Sequence, residues 1–256
     1  MIEGRDILIY LAIKFRGDWD KIRDTITGKN FVDAKEVEEL NSTDKSNKLT
    51  ILDPEYPEWL RAIYKPPFVL FYYGDISLIK NIDKNIAVVG SRQYSEYGKE
   101  TTFILVKDIC ARYVIVSGLA RGIDSIAHET AIKNGGKTIA VLGSGIDVCY
   151  PSDNKVLYKK IKKDHLLVSE YPSDTPPEPQ LFPLRNRIIA GLSKAVLVTE
   201  ASERSGTLIT VHYALAANKD VMCVPHPAGT HSSCNRLISQ GAYLVESGED
   251  IDNIMK

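Results

Sequence analysis

The chain has 256 residues, with 32 Lys and Arg against 33 Asp and Glu and a formal charge of −1. That balance excludes holding a polyanion by bulk positive charge, so any such partner needs a local cationic cluster. An apolar fraction of 44% with 25% charged residues excludes wholesale disorder.

Four cysteines are too few for a disulfide framework and point to a reducing compartment. No run approaches the roughly 20 apolar residues that span a bilayer. The charged start Met1-Ile2-Glu3-Gly4-Arg5-Asp6 lacks an apolar signal core, so a soluble, cytoplasmic protein is expected.

Residues 7–40 place Ile7, Leu8, Leu11, Ala12 and Phe15 on one helical stripe. Gly17 and Gly28-Lys29-Asn30 offer stops. Two or three short helices are expected, too small for a robust core of their own. The polar stretch Asn41–Lys48 reads as a linker. After a Pro-punctuated segment, Phe68–Gly74 reads as a buried strand.

From Ile86 the pattern is regular. Apolar, β-branched runs recur at 86–89, 114–116, 138–142, 166–168, 195–198, 221–224 and 243–245, mostly with helix-length spacers. Continuous apolar strands are expected where helices cover both sheet faces. Strand–helix alternation then implies a doubly wound, mostly parallel α/β sheet of Rossmann type. Strand order is not legible in the pattern.

Ligands of such sheets sit beyond the strands' carboxyl ends. Those positions hold Gly90-Ser91-Arg92, Gly118-Leu119-Ala120-Arg121-Gly122, Gly143-Ser144-Gly145, residues 200–207 and Pro225-His226-Pro227. Ser205-Gly206-Thr207 precedes the apolar helix Leu208–Ala216, and the unpaired N–H groups of a helix start hold phosphates well, although Ser and Thr also favour helix caps for stability alone. Arg92, Arg121 and the run Phe182-Pro183-Leu184-Arg185-Asn186-Arg187 add guanidiniums suited to phosphate and a ring that can stack a base.

Other chemistries fit less well. Gly143-x-Gly145 has Val148 where a dinucleotide motif needs its third Gly, and Ala131 replaces the first Gly of a P-loop ending at Gly136-Lys137-Thr138. Cys223, His226, His231 and Cys234 have zinc-compatible spacing, but a thiol inside an apolar strand is a common filler. Neither a metal nor a cofactor is expected. Ser117, Asp124 and His128 lack a nucleophile elbow, and Asp124 reads as the cap of a helix running from Ile126 to Lys133, closed by Gly135.

Several motifs together resemble the DprA/Smf family of bacterial DNA-processing proteins. They are Gly90-Ser91-Arg92, Ser117–Asp124, Ala127-His128, Phe182-Pro183-x-Arg185-Asn186-Arg187 continuing to Leu192, Arg204–Thr210, and Cys234-Asn235-Arg236-Leu237-Ile238-x-x-Gly241-Ala242. Tyr56-Pro57 and Pro66-Pro67 fit the same pattern. The likeness covers residue 49 to the C-terminus. It implies an extended Rossmann-like domain over 49–256, preceded by a small helical, SAM-like module over 1–45.

The resemblance further implies a dimer that binds single-stranded DNA without sequence preference, protects incoming strands in natural transformation and loads the RecA recombinase. No catalytic activity is implied. Carried over by motif, Ser91, Arg92, Arg121, Arg185, Asn186, Ser205, Gly206 and Thr207 would line the DNA site and Phe182 would stack a base. Asn235, Ile238 and Leu244 would mark the self-association and recombinase-facing surfaces.

Two departures stand out. Pro179 occupies the place, three before Phe182, where many members have Lys, which removes one expected phosphate contact. Many members also extend into a winged-helix-like module, whereas this chain stops at Lys256. The rival readings are a nucleotide phosphoribohydrolase or a small-nucleotide sensor. The hydrolase would need a Glu where Thr210 stands; Glu200 could substitute in principle, but it follows a strand rather than lying on the helix.

Overall fold

Three helices open the chain in the computed structural model, which describes residues 2–28, 32–203, 205–230 and 232–256. They are α1 (Gly4–Lys14), α2 (Trp19–Thr27) and α3 (Ala34–Thr43), the last two capped by the side chains of Asp18 and Asp33. Gly28 is the C-cap of α2, while Lys29 and Asn30 of the expected stop lie outside the described residues. Leu8 to Ala12 of α1 are buried together with Val69, Phe71, Ala140 and Leu142. The small helices thus complete a core on the sheet, as their size requires.

The linker reading of Asn41–Lys48 is corrected by the structure. Asn41 to Thr43 finish α3, and Asn47 and Lys48 begin strand β1 (Asn47–Thr50). Between them Asp44 is buried: it accepts hydrogen bonds from the Ser46 hydroxyl (2.6 Å) and from the Ser173 N–H (2.9 Å) and hydroxyl (2.7 Å), with Lys48 at 3.1 Å. A polar sequence became ordered because its carboxylate found every partner it needs.

Burial alone would raise the Asp44 pKa, but the bonds from Ser46, Ser173 and Lys48 outweigh it and hold the carboxyl at about 2. A depressed carboxyl stabilises the fold above its unfolded pKa near 3.9, and that stability drains away as pH falls toward 2. Asp44→Asn should lower the urea-unfolding free energy by about 2 kcal/mol at neutral pH and remove that part of the acid sensitivity. An unchanged stability difference between pH 7 and pH 3 would contradict this.

The remaining strands are β2 (Val69–Gly74), β3 (Asn85–Gly90), β4 (Val114–Ser117), β5 (Thr138–Leu142), β6 (Leu166–Ser169), β7 (Ala195–Glu200), β8 (Asp220–Cys223) and β9 (Tyr243–Leu244). The described residues form one sheet in the order β1-β2-β6-β5-β4-β3-β7-β8-β9. Every pairing from β6 through β9 is parallel, and β2 joins β6 and β1 antiparallel. The fold is therefore the mostly parallel α/β class expected.

The chain winds outward from β3 to β6, then returns to lay β7 on the other side of β3. That reversal is the switch point where such sheets open a crevice.

The other helices are α4 (Glu58–Arg61), α5 (Glu96–Ile109), α6 (Ile123–Lys133), α7 (Lys155–Asp164), α8 (Leu181–Gly191), α9 (Thr207–Ala216), α10 (Ser233–Ser239) and α11 (Gly248–Met255). Ala87 and Val89 of β3 face one way, with Ile188 and Ile189 of α8 and Val211 of α9. Ile86 and Val88 face the other way, with Leu105 and Ile109 of α5 and Ala127 of α6. Both faces are covered, which accounts for the unbroken apolar runs.

Candidate nucleic-acid interface

The crevice at the switch point is a cavity of about 440 Å³ floored by the end of β3 and the loop after β7 and walled by α8 and the start of α9. It is lined by Ser91, Arg92, Phe182, Arg185, Asn186, Ser205, Gly206 and Thr207. Residues separated by more than a hundred positions in sequence meet because each follows a strand or opens a helix at one sheet edge.

Ser91 forms the turn after β3. Its N–H donates to the Glu200 carbonyl (2.8 Å), and its hydroxyl is tied to the Gln93 backbone. This leaves Arg92 exposed, with no ion pair among the described residues. The neighbouring loop approaches closely: Gly122, at φ +83°, lies where a Cβ would strike the Ser91 carbonyl. Only glycine fits that backbone comfortably.

Phe182, Arg185 and Asn186 are spaced i, i+3 and i+4 on α8 and so share a face. The Phe182 ring sits in the first turn, where Pro183 is tolerated. It lies 5.6 Å from the Arg92 guanidinium and 5.5 Å from the Tyr150 ring. Gly143 gives it room, since a Cβ there would come within 2.6 Å of the ring.

Arg185 is buried. Its Nη1 donates to the Gly118 and Val141 carbonyls, and its Nε donates to Asn186 Oδ1 at 3.1 Å. Asn186 in turn donates to the Gly206 carbonyl (3.2 Å), linking α8 to the start of α9. There the Ser205 hydroxyl accepts from the Thr207 N–H (3.2 Å) and donates to the Thr207 hydroxyl (2.7 Å). Gly206 presents bare backbone, and nothing would touch a Cβ placed on it. Arg204 lies outside the described residues.

Asp124 is the cleft residue that sequence reasoning misassigned. Gly122, not Asp124, is the N-cap of α6. The carboxylate turns inward to accept from the N–H groups of Gly118 (3.1 Å) and Ala120 (3.4 Å). Burial pushes its pKa up against the pull of Arg185 and those donors. Burial likewise pushes Arg185 down to about 10; Asp124 opposes that shift and Arg92 adds to it. Two guanidiniums thus feel each other across a cleft with one buried acid, a field that favours an anion.

Two arginines fall elsewhere. Arg121 lies beside Tyr150 in a smaller adjoining cavity that shares Arg92, Phe182 and Arg185 with the cleft, and pairs with Asp153 at 2.7 Å. Arg187, two residues beyond Arg185, points away from the cleft and is buried against Glu170 at 2.6 Å.

The imagined triad does not assemble, since Ser117 lies beside Asp124 but His128 bonds elsewhere. Ser117 donates to the Val88 carbonyl (2.7 Å), and His128 Nδ1 bonds to the Thr138 hydroxyl (2.6 Å). Burial lowers the His128 pKa to about 3. Glu200 accepts from the N–H (3.0 Å) and hydroxyl (2.9 Å) of Ser95, which caps α5, while Thr210 lines the cleft. Among the described residues no three His, Cys, Asp or Glu side chains gather to hold a metal, and His231 of the considered quartet lies outside them.

Asn235 spends its amide on the His226 backbone, accepting at 2.8 Å and donating at 2.9 Å. Ile238 is half-buried on the core, and Leu244 is exposed on the last strand of the sheet. No helix among the described residues is long and apolar enough to cross a membrane.

Comparison with known proteins bears on this arrangement. The family profile for DNA recombination-mediator protein A matches residues 47–256. The DNA processing protein DprA of Streptococcus pneumoniae is 46% identical over 209 residues, 81% of this chain and 73% of that protein. The X-ray structure of the S. pneumoniae protein superimposes with a TM-score of 0.84 at 36% identity, covering 99% of this chain and 98% of that one. DprA of Helicobacter pylori, whose structure is described by its single-stranded DNA binding mode, superimposes with a TM-score of 0.73 at 27% identity, covering 82% and 95%. The chain therefore belongs to the DNA recombination-mediator protein A family, the DprA/Smf proteins.

Proposed function

We propose that the protein binds single-stranded DNA without sequence preference in the switch-point cleft. In this reading it protects incoming strands during natural transformation and passes them to the RecA recombinase in the cytoplasm. The observation that carries the DNA reading is Arg92, exposed and without an ion pair among the described residues, lying 5.6 Å from the Phe182 ring. A cation for phosphate lies over a ring for a base, next to the start of α9. The single-stranded DNA binding mode described for the H. pylori relative supports the same ligand.

In this reading Arg92, Arg185, Asn186, Ser205, Gly206 and Thr207 contact the sugar–phosphate chain and Phe182 accepts any base. Ser91 shapes the turn that presents Arg92, and Arg121 becomes available once phosphate displaces Asp153. Residues 49–256 form the DNA-binding unit, with 1–45 as its helical module. Asn235, Ile238 and Leu244 mark the dimer and recombinase surface, on which Leu244 is the exposed apolar contact. The role is binding rather than catalysis: Thr210 supplies no carboxylate in the cleft, and Glu200 is engaged at α5.

The test is a fluorescence titration of labelled single-stranded and duplex oligonucleotides at two salt concentrations, with Arg92→Ala alongside. The single strand should bind more tightly. Arg92→Ala should weaken it and flatten the log–log salt slope by about 0.7, the share of one phosphate contact on a single strand. Equal affinity for duplex, or an unchanged slope, would refute the reading. No Lys occurs between positions 164 and 194, so nothing nearby in sequence replaces the cation missing at Pro179.

A further inference from the structure

Helix α7 carries Lys155, Lys159, Lys160, Lys162 and Lys163 within ten residues, with Asp164 its only acid. In a chain of net charge −1 this is a marked local excess. Lys162 is spent on Asp147 (2.7 Å) and the Tyr73 ring (3.7 Å). Lys155, Lys159 and Lys163 are exposed, form no ion pair among the described residues and recur every four residues. That period makes one stripe, with a step of about 6 Å along the helix axis.

Helix stability does not explain the whole stripe. A lysine near a helix C-terminus complements the macrodipole, which accounts for Lys163, but Lys155 opens α7 at the end where a cation is disfavoured. No acidic residue stands in that first turn to offset it.

The stripe begins at the rim of the cleft. Tyr150, 5.5 Å from Phe182, is followed by Pro151, a short turn at Ser152–Asn154, and α7. Asn154 donates to the Leu119 carbonyl (2.9 Å), and Asp153 pairs with Arg121. This fixes the first turn of α7 against the loop after β4. The Arg121–Asp153 pair is well exposed on both sides, and such pairs are held weakly enough for a phosphate to replace the carboxylate.

Resting on the cleft reading above, we propose that a single strand leaving the cleft past Tyr150 and Arg121 continues along α7, where Lys155, Lys159 and Lys163 hold successive phosphates. The stripe reads charge alone, so this extension is indifferent to sequence and lengthens the bound segment beyond what the cleft covers.

The experiment compares labelled oligothymidylates of about 6 and about 20 nucleotides, lengths chosen to fill the cleft alone and to overrun it. The probes are titrated over a salt series on the wild type, on Arg92→Ala and on the triple variant Lys155→Gln/Lys159→Gln/Lys163→Gln. Glutamine keeps helix propensity, and circular dichroism confirms that the variants fold. The triple variant should lose on the order of 10- to 100-fold affinity for the long probe near 0.1 M salt, and about 2 from its salt slope, from three contacts of about 0.7 each. Its affinity for the short probe should not change, whereas Arg92→Ala should weaken both.

Unchanged binding of the long probe by the triple variant, or equal loss on both lengths, overturns the path along α7. Failure of the cleft reading looks different: Arg92→Ala then leaves both probes bound as before, and a path that starts from the cleft falls with it.

Discussion

Phe182→Ala should weaken binding of single-stranded oligonucleotides by roughly 5- to 150-fold, the equivalent of the 1–3 kcal/mol that one base gains on an aromatic platform. The ring is preorganised for this. It is held in the first turn of α8, backed by Gly143 and edged by Tyr150. Every base has a π-face, so the loss should be the same for oligothymidylate and for mixed sequences. Phe182→Trp should retain most of the affinity. A loss confined to one sequence, or no loss at all, would remove the ring from the binding site. Because Phe182 is only half-buried, the thermal midpoint should move little, which separates a binding defect from an unfolded protein.

Breaking the Arg187–Glu170 pair should cost stability instead. Side-chain exposure is 2% for Arg187 and 6% for Glu170, and the two meet at 2.6 Å. Arg187 also donates from Nε to the Lys65 carbonyl (2.9 Å) and from Nη1 to the Leu184 carbonyl (3.0 Å). Burial alone would lower the guanidinium's pKa, but Glu170 more than offsets it and the pKa is raised. Removing either partner strands a buried charge, so Arg187→Met or Glu170→Leu should each cost about 3–5 kcal/mol. That is a large fraction of the 5–15 kcal/mol typical of whole domains.

The double variant Arg187→Met/Glu170→Leu should recover most of the loss, because no lone charge remains. Urea unfolding of the three variants measures this, and a double variant as unstable as the singles would show that the polar contacts of Arg187, not the charge pair, carry the energy.

These two residues show what sequence can and cannot convey. Arg185 and Arg187 lie two positions apart on one helix, which turns them to different sides: one faces the cleft, the other the interior beside Glu170. Read from the residues alone they were two guanidiniums of one run; the family resemblance singled out Arg185, and Glu170, just after β6, accounts for the inward turn of Arg187. Arg92 and the Ser205-Gly206-Thr207 start were legible as cleft residues because strand ends and helix starts can be located from apolar runs, and a parallel sheet collects them at one edge, whereas Phe182 was marked by its run with Arg185 and Asn186 and by the family resemblance. Asp124 was misread because a cap and an inward-turned first-turn carboxylate share the same local pattern. Strand β1 was hidden because it is a four-residue edge strand that opens with two polar residues, Asn47 exposed and Lys48 turned onto Asp44, and the burial that orders Asp44 comes from Ser173, 129 positions away. Strand order depends on such distant pairings and leaves no local trace.

On the proposed DNA reading, the guanidinium that lies over the Phe182 ring would also govern how a first nucleotide is admitted. The face a base would occupy is roofed by Arg92, and lifting that roof costs only about 0.5–1 kcal/mol at an exposed site. A phosphate that drew Arg92 aside would uncover the ring just as the attached base arrived. An abasic oligomer would open the roof and leave the ring wet; a strand with a neutral backbone would leave it shut. One arginine would thereby make the two halves of a nucleotide each other's entry condition.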